Sequence, residues 1–180
     1  MTVSPAEVLA FWRNAGPDKW FARDAAFDAA CREGFEAAHH AAARRELDGW
    51  AETADGALAL VLLLDQFPRN LWRGSAHAYA TDPLARLFAD AAVAKGFDRA
   101  CDPALRVFFY MPFEHSERPE DQDRCVGMME ALGDPELLKW ARVHQEVIAR
   151  FGRFPHRNAA LGRETTAEER AFLEGGGFSA

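Results

Sequence analysis

The chain has 180 residues, of which 49% are apolar and 27% charged, and a net charge of −7. That length is enough for one domain with a buried core, and the balance is that of a globular chain rather than a disordered one. The acidic total argues against nucleic acid as a partner, since proteins that hold phosphate backbones present a basic face. The longest apolar run, Ala57 to Leu64, is eight residues and far short of a membrane span.

Helix punctuation runs through the chain. Ser4-Pro5-Ala6-Glu7 has the capping-box form with Pro at the first helical position, and it opens a helix over about 5–14. A second helix is expected over about 24–44, carrying His39-His40 as a surface pair, because adjacent residues diverge on a helix. The stretch 54–66 is apolar nearly all round and is expected to be the buried central helix, stopped by Pro68. Asp82-Pro83, Asp102-Pro103 and Asp134-Pro135 each place a capping acid before a helix-starting Pro, predicting helices over about 83–95, 103–111 and 135–151. A helix over about 119–131 lies between the last two, and Thr166-Ala167-Glu168-Glu169 caps a final one over about 166–174. Gly96 and Gly152 stand where C-caps belong. No stretch alternates with period two for long enough to be a strand. The expectation is an all-α array of about eight helices in one domain, 1–180, with a flexible Gly-rich tail over 175–180.

Three cysteines, Cys31, Cys101 and Cys125, are widely spaced, with no Cys-x-x-Cys pair, and read as small apolar fillers. The N-terminus shows no basic region followed by an apolar run, so a cytoplasmic protein is expected.

The polar residues are unevenly placed. Gln66 to Thr81 holds Arg69 and Arg73 without an acid, and Arg150 to Arg163 holds Arg150, Arg153, Arg157 and Arg163 without one. Such basic tracts in an acidic protein need either an anionic ligand or the protein's own carboxylates. The first cluster is Asp65-Gln66-Phe67-Pro68-Arg69-Asn70 with Arg73. Asp65 continues the Leu58–Val61–Leu62 stripe and so points into protein, where it needs a partner; Arg69 is the nearest candidate. A stiff turn presenting a guanidinium and an amide is a recognition group, or else an internal Asp–Arg brace. The second cluster is Glu114-His115-Ser116-Glu117, in which a Glu beside a neutral His is an acid/base pair or simply a charged helix start. The third is Arg153-Phe154-Pro155-His156-Arg157-Asn158, then Arg163, just past the helix that carries His144 in its apolar stripe beside Leu137, Trp140, Ala141, Val147, Ile148 and Phe151. His144 there is either a core histidine with one hydrogen bond or a site residue.

Arginines around His115, His144 and His156 would repel a cation, so no metal site is assigned. No phosphate loop, nucleophile elbow or Rossmann fingerprint is present, so no cofactor or reaction is named. The three clusters are expected to converge. Arg69, Asn70, Arg73, His115, His144, His156, Arg157 and Asn158 would bind a small anionic ligand, with Asp65, Glu114 or His115 as candidates for any proton transfer. The alternative is a helical scaffold for a protein partner, with the same clusters as braces.

These phrases together resemble the bacterial domain of unknown function 924 family. The resemblance is carried by Trp20-Phe21, Phe27-Asp28, Leu63 to Asn70 with Arg73-Gly74, Phe109 to Glu117 with Gln122, and then His144, Phe151 to Asn158, Leu161-Gly162-Arg163 and Glu169. Met111 stands where Leu is also usual. What the resemblance implies is an all-helical, tetratricopeptide-like superhelical packing and no assigned reaction or catalytic residue. The sequence itself shows no fixed 34-residue period.

Overall fold

The computed structural model describes residues 3–178. Among them the chain is all-α, with about eight substantial helical stretches and no strand. The helical elements, long and short, include in order α1 (Pro5–Ala15), α2 (Pro17–Trp20), α3 (Ala25–Ala43), α4 (Ala54–Val61), a π-helical turn (Leu62–Gln66), α5 (Phe67–Leu71), α6 (Asp82–Ala94), α7 (Phe97–Ala100), a 3-10 segment (Pro103–Phe109), α8 (Met111–Glu114), α9 (Pro119–Leu132), α10 (Pro135–Phe151), a short 3-10 turn (Pro155–Arg157) and α11 (Ala167–Glu174). Further 3-10 turns lie at Asp48–Glu52 and Ala76–Tyr79. No helix among these residues is long and apolar enough to cross a membrane.

Most expected caps are made. Ser4 and Thr166 close full capping boxes on α1 and α11. The Asp134 carboxylate accepts from the N–H groups of Glu136 and Leu137 at 2.9 and 3.2 Å, and Asp102 accepts from Ala104 N–H at 3.0 Å. Asp82 is the exception. It stands inside α6 as its first residue, with Thr81 at the N-cap position, and its carboxylate receives the Arg69 guanidinium from α5.

The described residues form two compact units, one of residues 3–73 with 77–112 and one of 74–76 with 113–178. In the first, Ala57 to Leu64 are all at most 1% exposed, as the all-round apolar pattern requires. Each large side chain so buried is worth about 1.5–3 kcal/mol relative to exposure. Around this helix Phe11, Trp12, Phe35, Phe67 and Phe108 interlock, with ring centroids 4.7 to 6.0 Å apart. At its start Gly56 passes so close to the 48–52 turn that a Cβ there would lie 2.1 Å from the Trp50 carbonyl oxygen.

Pro68 does not stop this helix, contrary to the expectation. The chain widens into a π turn over Leu62–Gln66, with Phe67 N–H donating five residues back to Leu62 O, and continues through Leu71. The wider turn gives the Pro68 ring room beside the preceding turn, at the cost of freed backbone acceptors. Side chains take them up: His39 Nδ1 at 2.8 Å from Leu63 O, Thr81 Oγ1 donating to Leu64 O at 2.5 Å, and Arg69 Nη1 donating to Asp65 O at 2.5 Å. His39 is therefore a buried residue, 4% exposed, and not half of a surface pair; only His40 faces outward. Burial holds the His39 imidazole below its ordinary pKa.

The second unit is built on α9 and α10, joined by two residues, with Val147, Ile148 and Phe154 as its core and Phe151, Phe172 and Phe178 packed on them. Trp140, expected in the inward stripe of α10, is 46% exposed, while Ala141, His144, Val147 and Ile148 are the buried set. Of the tail expected to be flexible, residues 179–180 lie outside the described residues. Gly175, Gly176 and Gly177 donate back to the carbonyls of Ala171, Leu173 and Phe172. All three cysteines are free and buried, and burial raises their thiol pKa values, Cys31 to about 12 and Cys101 to about 11.

Candidate functional site

In the first unit the Asp65–Arg73 cluster closes on the protein's own carboxylates. The Arg69 fork grips Asp82, with Nη1 and Nη2 donating to Oδ1 and Oδ2 at 2.9 and 3.0 Å, and Nη1 lies 3.5 Å from Asp65 Oδ1. Asp65 is fully buried and also accepts from Gln66 Nε2 at 2.5 Å. Burial opposes the Arg69 charge, but Asp65 and Asp82 outweigh it and hold the guanidinium pKa above its ordinary value. Asn70 donates to Asp28 at 2.9 Å, and Arg73 closes a fork on the same carboxylate at 2.6 and 2.9 Å. Asp28 and Asp82 are the partners that chain position concealed, 42 and 13 residues from the groups they meet. Asp28 stood in the Phe27-Asp28 phrase, which was the available signal.

In the second unit α8 ends at Glu114, and Gln122 gathers the released carbonyls of Glu114 and Ser116 through Nε2, both at 2.6 Å. This sends the two acids of Glu114-His115-Ser116-Glu117 to different partners. Glu117 receives the Arg163 fork at 2.7 and 3.0 Å and the backbone N–H of Phe154 at 2.8 Å. Burial would raise its pKa, but these donors prevail and hold it below the ordinary range. Arg153 makes a fork on Glu169 at 2.6 and 2.9 Å, and Asn158 Nδ2 reaches the same carboxylate at 3.2 Å. The Arg153 hydrogen bonds, backed by the Thr166 N–H, draw the Glu169 carboxyl down to about 2.

The remaining polar residues gather around the Phe154 ring. His144 stands edge-on to it at 5.5 Å, His156 lies at 5.7 Å, and the Arg157 guanidinium carbon sits 4.4 Å from its centre. Arg157 is 6% exposed and donates to His115 O at 3.0 Å, while the His115 ring lies 6.3 Å from that of His144. Glu114, 3% exposed, brings Oε1 to 3.3 Å from His144 Nδ1. The shorter contact of that nitrogen is to Trp140 O at 2.8 Å, which fixes Nδ1 as the protonated atom. Burial first, then the charges of His115, Arg157 and His156, push the His144 pKa down to about 3. His144 is thus neutral at pH 7, and its approach to Glu114 is a meeting of a carboxylate with a neutral ring.

The expected binding residues divide between the units. Arg69, Asn70 and Arg73 belong to the first, and His115, His144, His156, Arg157 and Asn158 to the second. Glu114 meets the ring of His144, 30 positions away in the chain. Two surface concavities of about 370 and 190 Å³ lie near α10 and α11, and none of the eight expected binding residues lines either. Among the described residues no group of three or more His, Cys, Asp or Glu side chains is placed to hold a metal ion.

The chain was compared with known families, proteins and structures. Residues 8–177 match the model of a family described as bacterial protein of unknown function, DUF924. A solved structure titled "Structure of Protein of Unknown Function ATU0120 from Agrobacterium tumefaciens" is 56% identical in sequence, with a TM-score of 0.92 over 95% of this chain and 97% of that one. No curated protein matches.

Proposed function

The chain belongs to the DUF924 family of bacterial proteins, and we propose that it binds a small anionic ligand at the ring-lined cluster around Phe154, in a cytoplasmic setting. One observation carries this reading: His144, His156 and Arg157 are collected around a single buried ring, with the His115 ring 6.3 Å from that of His144. A guanidinium held in a low-dielectric place creates a positive potential that favours an anion, and imidazole N–H groups beside it can donate to one. Arg157 supplies the fork for a carboxylate or phosphate, and Glu114 with His144 is the pair available for proton transfer. The expected binding residues Arg69, Asn70, Arg73 and Asn158 play no part in this reading, because Asp82, Asp28 and Glu169 already hold them.

Thermal melts with inorganic phosphate, acetate and phenylacetate test it. A ligand present at 100 times its Kd stabilises by about 2.7 kcal/mol. The expected result is a concentration-dependent rise in Tm that Arg157→Gln abolishes while the variant stays folded. A rise of equal size in Arg157→Gln would sink the assignment of the site.

The second reading is a helical scaffold for a protein partner, of tetratricopeptide-like packing within one domain. Supporting it are the α9–α10 hairpin, the unit from which such arrays are built, and Trp140 left 46% exposed on α10. A stable partner recovered on wild-type chain and lost on Trp140→Ala, with no melting shift from any anion, would favour it.

A further inference from the structure

The last described residue, Phe178, lies among rings. Its centroid is 4.3 Å from His144, 5.3 Å from His156 in an edge-on arrangement, and 6.3 Å from both Phe154 and Trp140. These are spacings at which aromatic rings attract through offset and edge-to-face contacts. Two of the four rings, His144 and His156, are imidazoles of the cluster around Phe154, and Phe154 itself carries the Arg157 guanidinium against it.

From this we infer that the ligand is an aryl-bearing anion, and that Phe178 is the chain's own occupant of the slot for the aryl ring. The inference rests on the anion site proposed above and adds the chemical class of its ligand. The slot is lined by rings, and the Arg157 guanidinium lies against one of them, Phe154.

The segment that delivers Phe178 is built to come away. Three consecutive glycines, Gly175, Gly176 and Gly177, precede it and contribute no side chain to packing. Their backbone N–H groups donate to α11 itself, at Ala171, Leu173 and Phe172. Gly177 has to be bare, since a Cβ there would stand 2.6 Å from the Phe172 ring. Phe178 also forms one wall of the 190 Å³ concavity, whose other apolar walls are Val143, Val147, Phe151 and Phe172. That groove gives room beside the slot for a substituent on the incoming ring.

An occupant tethered by a short flexible linker competes at a high effective concentration, so removing it strengthens the binding of a ligand that takes its place. The test uses the full chain and the matched probes phenylacetate and acetate, titrated by calorimetry into wild type, Phe178→Ala and Gly177→Ala. Phenylacetate is expected to bind both variants at least tenfold more tightly than wild type, and acetate to bind all three alike. In wild type, phenylacetate should speed hydrogen exchange at the Phe178 amide. Unchanged or weaker phenylacetate binding in both variants, with acetate bound through Arg157, overturns the aryl inference and leaves the anion site standing. Absence of binding by either probe to any of the three proteins overturns both. Should Phe178→Ala melt well below wild type, Gly177→Ala carries the comparison with Phe178 retained, its added Cβ forcing the segment and the Phe172 ring apart. Bound phenylacetate without faster exchange at Phe178 would also reject displacement.

Discussion

Phe67-Pro68-Arg69-Asn70 and Phe154-Pro155-His156-Arg157-Asn158 are nearly the same phrase, and they do different things. In the first, Pro68 sits inside a continuing helix made possible by a π turn, and both the guanidinium and the amide are held by aspartates. In the second, Pro155 opens a single 3-10 turn after the Gly152 C-cap, and the amide is held by a carboxylate, Glu169. Arg157 instead donates to a carbonyl and lies on a ring among imidazoles. The identity of a polar residue in a turn therefore says little about its role. What decides is which acid the rest of the fold brings within reach.

Substitutions can break or sharpen that contrast. The largest effect is expected at Arg69. Replacing it with Gln leaves Asp65 fully buried without its cation, and should cost about 3–5 kcal/mol in urea unfolding, as loss of one partner of a buried pair does. A loss below about 1 kcal/mol would show that the first turn is not a brace.

Next comes Glu169→Gln, which weakens the Arg153 fork and the Thr166 capping box together, at a cost of about 2–3 kcal/mol. It also has a pH signature. The folded carboxyl is drawn to about 2 from an unfolded value of 4.5. A depressed acid contributes stability that is fully present above pH 4.5 and lost as the pH falls toward 2. The variant should be flatter than wild type across that window in pH-dependent melts.

Thr81→Val removes the hydroxyl that donates to Leu64 O beside Pro68, and should cost about 1–2 kcal/mol by leaving a buried carbonyl unserved. If the π turn relaxed to ordinary helix in this variant, the amide shift of Phe67 would change with it. Last comes Arg157→Gln, for which the expected outcome is a folded variant with anion binding lost, read as the absence of a Tm rise with phosphate or phenylacetate.

His144 gives a test without mutation of the turns. Its folded pKa near 3 lies below the ordinary 6.5, so between those values the unfolded chain binds more protons than the folded one. Stability should fall as the pH drops from 6.5 toward 3, and the His144 imidazole should show no NMR titration above about pH 5. A midpoint near 6.5 would place the ring in water and dissolve the cluster around Phe154.

Much of this chain was determined by sequence alone. Side-chain caps at Ser4, Asp102, Asp134 and Thr166 and the unbroken apolar run Ala57–Leu64 act over three or four residues, so helix starts and the buried helix follow from neighbours in the chain. The pairing of Asp65 with Arg69 followed too, because it spans one helical turn. The tertiary structure alone decided the rest. It released Pro68 from its role as a stop, through carbonyls served by His39 and Thr81 from elsewhere in the chain. It moved Asp82 from the cap position to the Arg69 guanidinium, brought Glu114 to His144, and laid Phe178 on the histidines. Buried charges and freed carbonyls must find partners wherever the chain brings them, and those distances are set by packing, which no local pattern of residues encodes.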